Sequence, residues 1–223
     1  YLTIGGDYRM QIPDDGADSG YTFSNGFLTM TDANDYMLVH GDFVMDSRYG
    51  GYDTHVHPSY AYYNGNGLTA GTLEIKGDFT QLSTSEEHKV NNYTHYYPHE
   101  NFQATMSHKV ILSGNAAQAV SFDDAAVNSS HFNYLEITNT NNEGLTFEGV
   151  AYVTNGLAST VSQINNSSNI YIANRFSIDS GDWPFDLTIA GSVSLEKNQE
   201  VLGNLYIDNS LNLNGFDLTV NGH

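Results

Sequence analysis

Three segments of this chain align without gaps: LTIGGDYRM from Leu2, MLVHGDFVM from Met37 and LEIKGDFTQ from Leu73. Their glycines, Gly6, Gly41 and Gly77, fall 35 and then 36 residues apart. A recurrence of this kind constrains the fold more than any composition, because each unit is one structural step that buries its apolar face only against its neighbours. Within a unit, apolar and polar residues alternate as they do along a strand with one buried face. In the third unit Leu73, Ile75 and Phe79 share one face, and Glu74, Lys76 and Asp78 the other. An interior glycine in such a strand marks a corner or bulge. The alignment therefore predicts parallel stacking of the strands that hold Leu2, Met37 and Leu73. Ile4, Val39 and Ile75 should form one buried ladder, and Tyr8, Phe43 and Phe79 a second, aromatic one.

Near the C-terminus the same pattern returns at half the period. LTIAGSVSL from Leu187 and LYIDNSLNL from Leu205 lie 18 residues apart, followed by FDLTVNG. Between the two sets come HKVILSG, QAVSF and FNYLEIT, each strand-like. A step of about 18 residues suits one turn of a solenoid made of three short strands, and about 36 suits two turns or one turn with a large insertion. Asn-Gly dipeptides at 25–26, 64–65, 66–67, 155–156, 214–215 and 221–222 read as turns between units. The best helix candidate, AAQAV, is too short and sits between strands. The expected fold is all-β, a parallel β-solenoid with long Tyr- and His-rich loop insertions. The alternative is a β-sandwich or jelly roll.

Residues 1–223 read as a single β-repeat domain, long enough to bury a substantial core. The 26 acidic and 7 basic residues leave a net charge of −19, which disfavours nucleic acid and anionic membrane surfaces, since both require a basic face. No apolar run is long enough to cross a membrane as a helix. Cysteine is absent, so neither a disulfide framework nor a thiolate metal site is expected. Acidic, Asn-, Ser-, Thr- and Gly-rich composition without cysteine fits an extracellular bacterial protein, secreted or attached to the cell surface. YLTIGGDYRM opens inside a strand pattern and LTVNGH stops in mid-pattern. The chain is therefore expected to be a fragment of a larger exported protein, tethered to its other domains.

Two windows stand outside the repeat. YGGYDTHVHPSYAYYNGNG (residues 49–67) holds five tyrosines, and NYTHYYPHENF (residues 92–102) three tyrosines and a phenylalanine. Neither shows helical periodicity or clean strand alternation. Aromatic surface outside a core pattern suits contact with a ligand, and sugar rings present flat C–H faces to aromatic side chains. If the windows leave the second and third GDF units at equivalent corners, they wall one groove. Tyr49, Tyr52, Tyr60, Tyr62, Tyr63, Tyr93, Tyr96 and Tyr97 would stack, and Asp53, His55, His57, His95 and His99 would reach for hydroxyls. The bland alternative is a compact loop packed by its own rings. Trp183, in SGDWPFD, is a further candidate for either role.

Other chemistries find weaker support. His55 and His57 have a spacing that suits zinc together with Asp53 or Glu100, yet no catalytic zinc signature accompanies them. PDDGAD (residues 13–18) and TDANDY (residues 31–36) offer oxygen ligands for a structural calcium, but match no calcium-loop pattern. Asp and Asn at turns also have a local explanation in hydrogen bonds to the backbone. Asp123-Asp124 and Glu86-Glu87 are adjacent carboxylates, which point to opposite faces of a strand and so do not make an acid–base pair. No zinc-peptidase, nucleophile-elbow, phosphate-loop or dinucleotide signature occurs. The chain is expected not to be an enzyme and to need no cofactor.

DANDYMLVHGDF, GTLEIKGDFTQ, HKVILSG and FNYLEITN resemble repeats of large surface or secreted proteins of gut Firmicutes, among them one domain of the starch adherence system proteins. The resemblance covers roughly the first two-thirds of the chain. It implies a polysaccharide ligand, with a starch-like α-glucan favoured, and carries over no individual binding residue. The expected function is a non-catalytic carbohydrate-binding module. A structural or adhesive stalk segment and a glycan-cleaving β-helix are the alternatives.

Overall fold

A computed structural model describes residues 1–10, 28–46, 67–82, 87–90, 93–96, 101–141, 144–159, 164–166, 170–172, 186–195, 197–201 and 203–222. Among these residues every regular element is a strand, and there is no helix. The longest sheet has nine strands, all parallel. In spatial order they are β1 (Leu2–Ile4), β3 (Tyr36–Val39), β5 (Thr72–Ile75), β9 (Lys109–Leu112), β11 (Phe132–Ile137), β13 (Ala151–Ser159), β15 (Ile170–Ile172), β16 (Leu187–Ile189) and β19 (Leu205–Ile207). The second parallel sheet runs β14 (Ile164–Asn166), β12 (Leu145–Glu148), β10 (Gln118–Phe122), β6 (Phe79–Gln81), β4 (Phe43–Met45) and β2 (Tyr8–Met10).

The register follows the sequence alignment. Leu2 pairs with Met37 and Met37 with Leu73; Ile4 pairs with Val39 and Val39 with Ile75. Exposure falls along the first ladder from 52% at Leu2 to 2% at Met37 and 0% at Leu73, as each strand gains a neighbour on its outer side. In the second sheet Tyr8 pairs with Phe43 and Phe43 with Phe79, their rings stacked at 5.1 and 5.6 Å. The ladder passes from Val39 through Ile75 to Leu112 and Ile137, although the sequence step shrinks along it. Each long unit of 35–37 residues therefore contributes one strand to this sheet. At the C-terminal end the step is 18, with Leu187 beside Leu205. There β17 (Ser192–Ser194) pairs with β20 (Ser210–Asn212), and β18 (Gln199–Val201) with β21 (Leu218–Val220), so each unit contributes three parallel strands.

The GD dipeptide at each corner has two separate causes. A Cβ on Gly77 would lie 2.5 Å from the Gly41 carbonyl oxygen, and one on Gly41 2.8 Å from the Asp7 nitrogen. The second and third corners each touch the preceding one backbone to backbone, and only glycine fits at Gly41 and Gly77. The aspartate beside each glycine then satisfies the next unit: Asp7 Oδ1 accepts the Asp42 N–H, Asp42 Oδ1 the Asp78 N–H (both 3.0 Å), and Asp78 Oδ1 the Ala119 N–H at 2.7 Å. Corner amides that leave the strand ladder are thereby paired with a side-chain acceptor.

Both sheets turn their apolar faces into one core. Its centre is a phenylalanine cluster in which Phe79 contacts Phe43, Phe102, Phe122 and Phe132 at ring distances of 4.8–5.6 Å. Each such pair adds about 0.5–1.5 kcal/mol beyond burial. Buried amide side chains accompany it: Gln81 Nε2 donates to Asn101 Oδ1 at 2.9 Å, and Gln118 Nε2 to the Ile75 carbonyl at 3.1 Å.

Three expectations change. Asn155-Gly156 is not a turn but lies inside β13, opposite a register shift between Phe132 and Tyr134. A Cβ on Gly156 would meet the Tyr134 ring at 2.9 Å, so glycine is there to admit that ring, not to turn the chain. Asn214-Gly215 is a turn, with φ of 52° and 85°. The window at 92–102 is partly strand: β7 (Glu87–Val90) and β8 (Tyr93–Tyr96) pair antiparallel, Val90 with Tyr93 and His88 with His95. At the end of the same window Phe102 is fully buried in the phenylalanine cluster, so it is a core residue, not a contact ring.

Candidate functional site on the outer face of the long sheet

Of the residues expected to bind, Tyr49, Tyr52, Asp53, His55, His57, Tyr60, Tyr62, Tyr63, Tyr97 and His99 lie outside the described residues, as do Trp183 and PDDGAD. Tyr93, His95 and Tyr96 lie on β8, which among the described residues pairs with β7 alone and joins neither large sheet. In TDANDY the carboxylates serve their own turn. Asp35 Oδ2 accepts the Thr31 and Asp32 amides at 2.9 and 3.0 Å, and Asp32 Oδ1 accepts the Asn34 amide at 2.8 Å. Asp124 accepts the Ser129 hydroxyl at 2.8 Å.

Functional-looking surface appears elsewhere. On the nine-stranded sheet, residues between the core ladders point outward, and register fixes which ones fall in line. Tyr36, Thr72, Lys109 and Tyr134 occupy equivalent places on β3, β5, β9 and β11. One pleat further on come Leu38, Glu74, Ile111 and Glu136. Toward the other end Tyr152, Tyr171, Thr188 and Tyr206 are in line on β13, β15, β16 and β19, with Thr188 buried at only 2% exposure. Among the described residues tyrosine takes several of these outward places, while every buried benzene-type ring is a phenylalanine. Tyr8 is the half-buried exception at the end of the phenylalanine ladder. A phenol in the core would need a partner for its hydroxyl; on the outside it meets water or a ligand.

The outward tyrosines are ordered. Tyr1 stacks on Tyr36 with centroids 5.0 Å apart and planes within 3°, and Tyr152 on Tyr171 at 4.8 Å and 13°. Each pair is followed on the next strand by a threonine, Thr72 after Tyr36 and Thr188 after Tyr171. Beside Thr72, Glu74 receives the Tyr36 hydroxyl on one oxygen and the Ser113 hydroxyl on the other at 2.6 Å. Burial and the neighbouring Glu74 push the Tyr36 phenol up to about 12, so it stays a donor. Burial acts to raise the Glu74 carboxyl, but the Ser113 and Tyr36 hydrogen bonds outweigh it and hold the group below its usual range. Lys109 is paired with Glu136 at 2.9 Å.

These residues were hidden in the sequence because each is unremarkable alone. Extending the repeat alignment three places upstream of Val39 and Ile75 would have put Tyr36 and Thr72 in one line. Comparison with known proteins returns no matching family model, no matching curated protein and no matching solved structure.

Proposed function

We propose that this chain is a non-catalytic, extracellular carbohydrate-binding module built on a parallel β-solenoid. The observation that carries the proposal is the sorting of aromatic residues, phenylalanine inside and tyrosine along the outer face of a long, in-register sheet. Amphipathic rings beside carboxylates and hydroxyls are the surface that a polyhydroxylated ligand recognises, offering C–H stacking and hydrogen bonds together. The two Tyr- and His-rich windows belong to the proposal as additional contact loops, and the resemblance to starch adherence repeats favours an α-glucan. The solenoid is supported by the unbroken parallel pairing from β1 to β19 and by the three-strand units at the C-terminal end.

Affinity electrophoresis against starch, xylan, pectin and mucin tests this. Retardation by one polysaccharide without release of sugar is the expected result. Released oligosaccharides would show an enzyme. Absence of retardation by all four would favour the stalk segment, in which the stacked pairs Tyr1–Tyr36 and Tyr152–Tyr171 serve only to brace neighbouring strands.

A further inference from the structure

The stacked rings divide the outer face unequally. Tyr1 covers one face of Tyr36. The other face looks along the sheet toward β5, where the residue in line is Thr72, and beyond it toward Lys109 on β9. A large ring, a small hydroxyl and a long cation on three successive strands leave a notch. Its walls stand two strand spacings apart, about 9–10 Å, room for one flat ring over the threonine. Tyr36, Thr72 and Lys109 are each half-buried, so the notch is shallow and open to solvent.

The notch carries charges of both signs. Glu74 and Lys76 follow on β5 and just after it, and Glu136 stands against Lys109. Two carboxylates and two ammonium groups balance locally, although the whole chain carries −19. A carboxylate has about four acceptor positions and an ammonium three N–H groups, so Glu74 and Lys109 retain capacity beyond the bonds described. Acceptors and donors side by side suit vicinal hydroxyls, each of which both donates and accepts. A free carboxylate or sulfate on the ligand would have to compete with Glu136 for Lys109 and would stand beside Glu74, so an uncharged ligand suits the balanced surface better.

We infer that the notch over Thr72, between Tyr36 and Lys109, is a saccharide subsite that takes one uncharged pyranose unit of a polysaccharide. The sugar stacks on the open face of Tyr36, and its hydroxyls bond to Thr72, Glu74 and Lys109. This rests on the carbohydrate-binding reading and adds to it a place and a ligand class. Isothermal titration of the full chain with maltoheptaose, cellohexaose, xylohexaose and an oligogalacturonate tests it. Thr72→Trp fills the notch without removing any core contact, and Tyr36→Leu and Lys109→Met remove its walls. The wild type should bind a neutral oligosaccharide, and each variant should bind it at least about tenfold more weakly, a loss of about 1.4 kcal/mol, with an unchanged thermal midpoint for Thr72→Trp. Wild-type affinity in both Thr72→Trp and Lys109→Met overturns the subsite and leaves the carbohydrate-binding reading standing. Tightest binding of the oligogalacturonate overturns the ligand class. Failure of the wild type to bind any of the four, or starch itself, overturns the underlying reading and the subsite with it.

Discussion

Alanine at Gly77 and alanine at Gly6 should behave oppositely, although both glycines occupy the same place in the same repeat. A Cβ at Gly77 would lie 2.5 Å from the Gly41 carbonyl oxygen and 2.6 Å from Asp42 Oδ1. The first obstacle is backbone held in the sheet by its own hydrogen bonds, since the Gly77 N–H donates to that same oxygen at 3.0 Å. Relief therefore requires two corners to move apart, a form of overpacking that costs about 1–3 kcal/mol and occasionally more. For a domain of this size each kcal/mol lowers the thermal midpoint by about 2–4 °C, so Gly77→Ala should fall by about 2–12 °C. Gly6 has nothing within 4 Å of a Cβ. Gly6→Ala should be neutral or stabilising by up to about 1 kcal/mol, because alanine restricts the unfolded chain. Paired thermal and urea melts of the two variants decide the matter. Equal midpoints for Gly6→Ala and Gly77→Ala would refute the backbone-to-backbone stacking of the corners.

Phe79→Ala removes the ring that meets four other phenylalanines at the centre of the core. It should cost about 3–5 kcal/mol by urea denaturation. Asp78→Ala leaves the Ala119 amide without its acceptor and should cost about 1–3 kcal/mol. Asp78→Asn keeps an acceptor oxygen and should cost less, and the urea midpoints of the pair check this. His108 and His131 are buried, and burial holds both imidazoles below their ordinary value against the opposing effect of carbonyl hydrogen bonds. Below about pH 6.5 the unfolded chain takes up protons that the folded chain refuses, so stability falls as pH drops. Urea midpoints between about pH 7.5 and pH 5.5 should decline less steeply for His108→Gln than for the wild type.

The strand ladders were legible because they depend on alternation and spacing alone, and Leu2, Met37 and Leu73 show both. The corner aspartates were visible as part of GD, but not their task, because Asp42 acts on Asp78 36 residues away. Gly156 misled because Asn-Gly is a turn signal judged locally, whereas the Tyr134 ring that requires it comes from the neighbouring strand. Phe102 misled for a related reason: it closes a polar, tyrosine-rich window yet belongs to the core, and window composition does not see where the chain turns inward. The outward line of Tyr36, Thr72 and Lys109 needed register across three strands before it became a site at all. Of the candidates in the two windows, ten lie outside the described residues and three lie on β8.

The aspartates at the corners give the stack a direction. Asp7 completes the unit that holds Asp42, Asp42 the unit that holds Asp78, and Asp78 the strand that begins near Ala119; each acceptor belongs to the earlier unit and each donor to the later one. Synthesis runs the same way. As every new unit leaves the ribosome, the carboxylate that will receive its corner amide is already in place, and so is the strand edge that will receive its backbone. A nascent chain of this kind can add one finished layer at a time, with its long-range pairings reduced to contact with the layer just laid down. Deletion from the C-terminal side leaves the remaining corner amides with their acceptors, whereas deletion of the first unit strips the acceptor from the second.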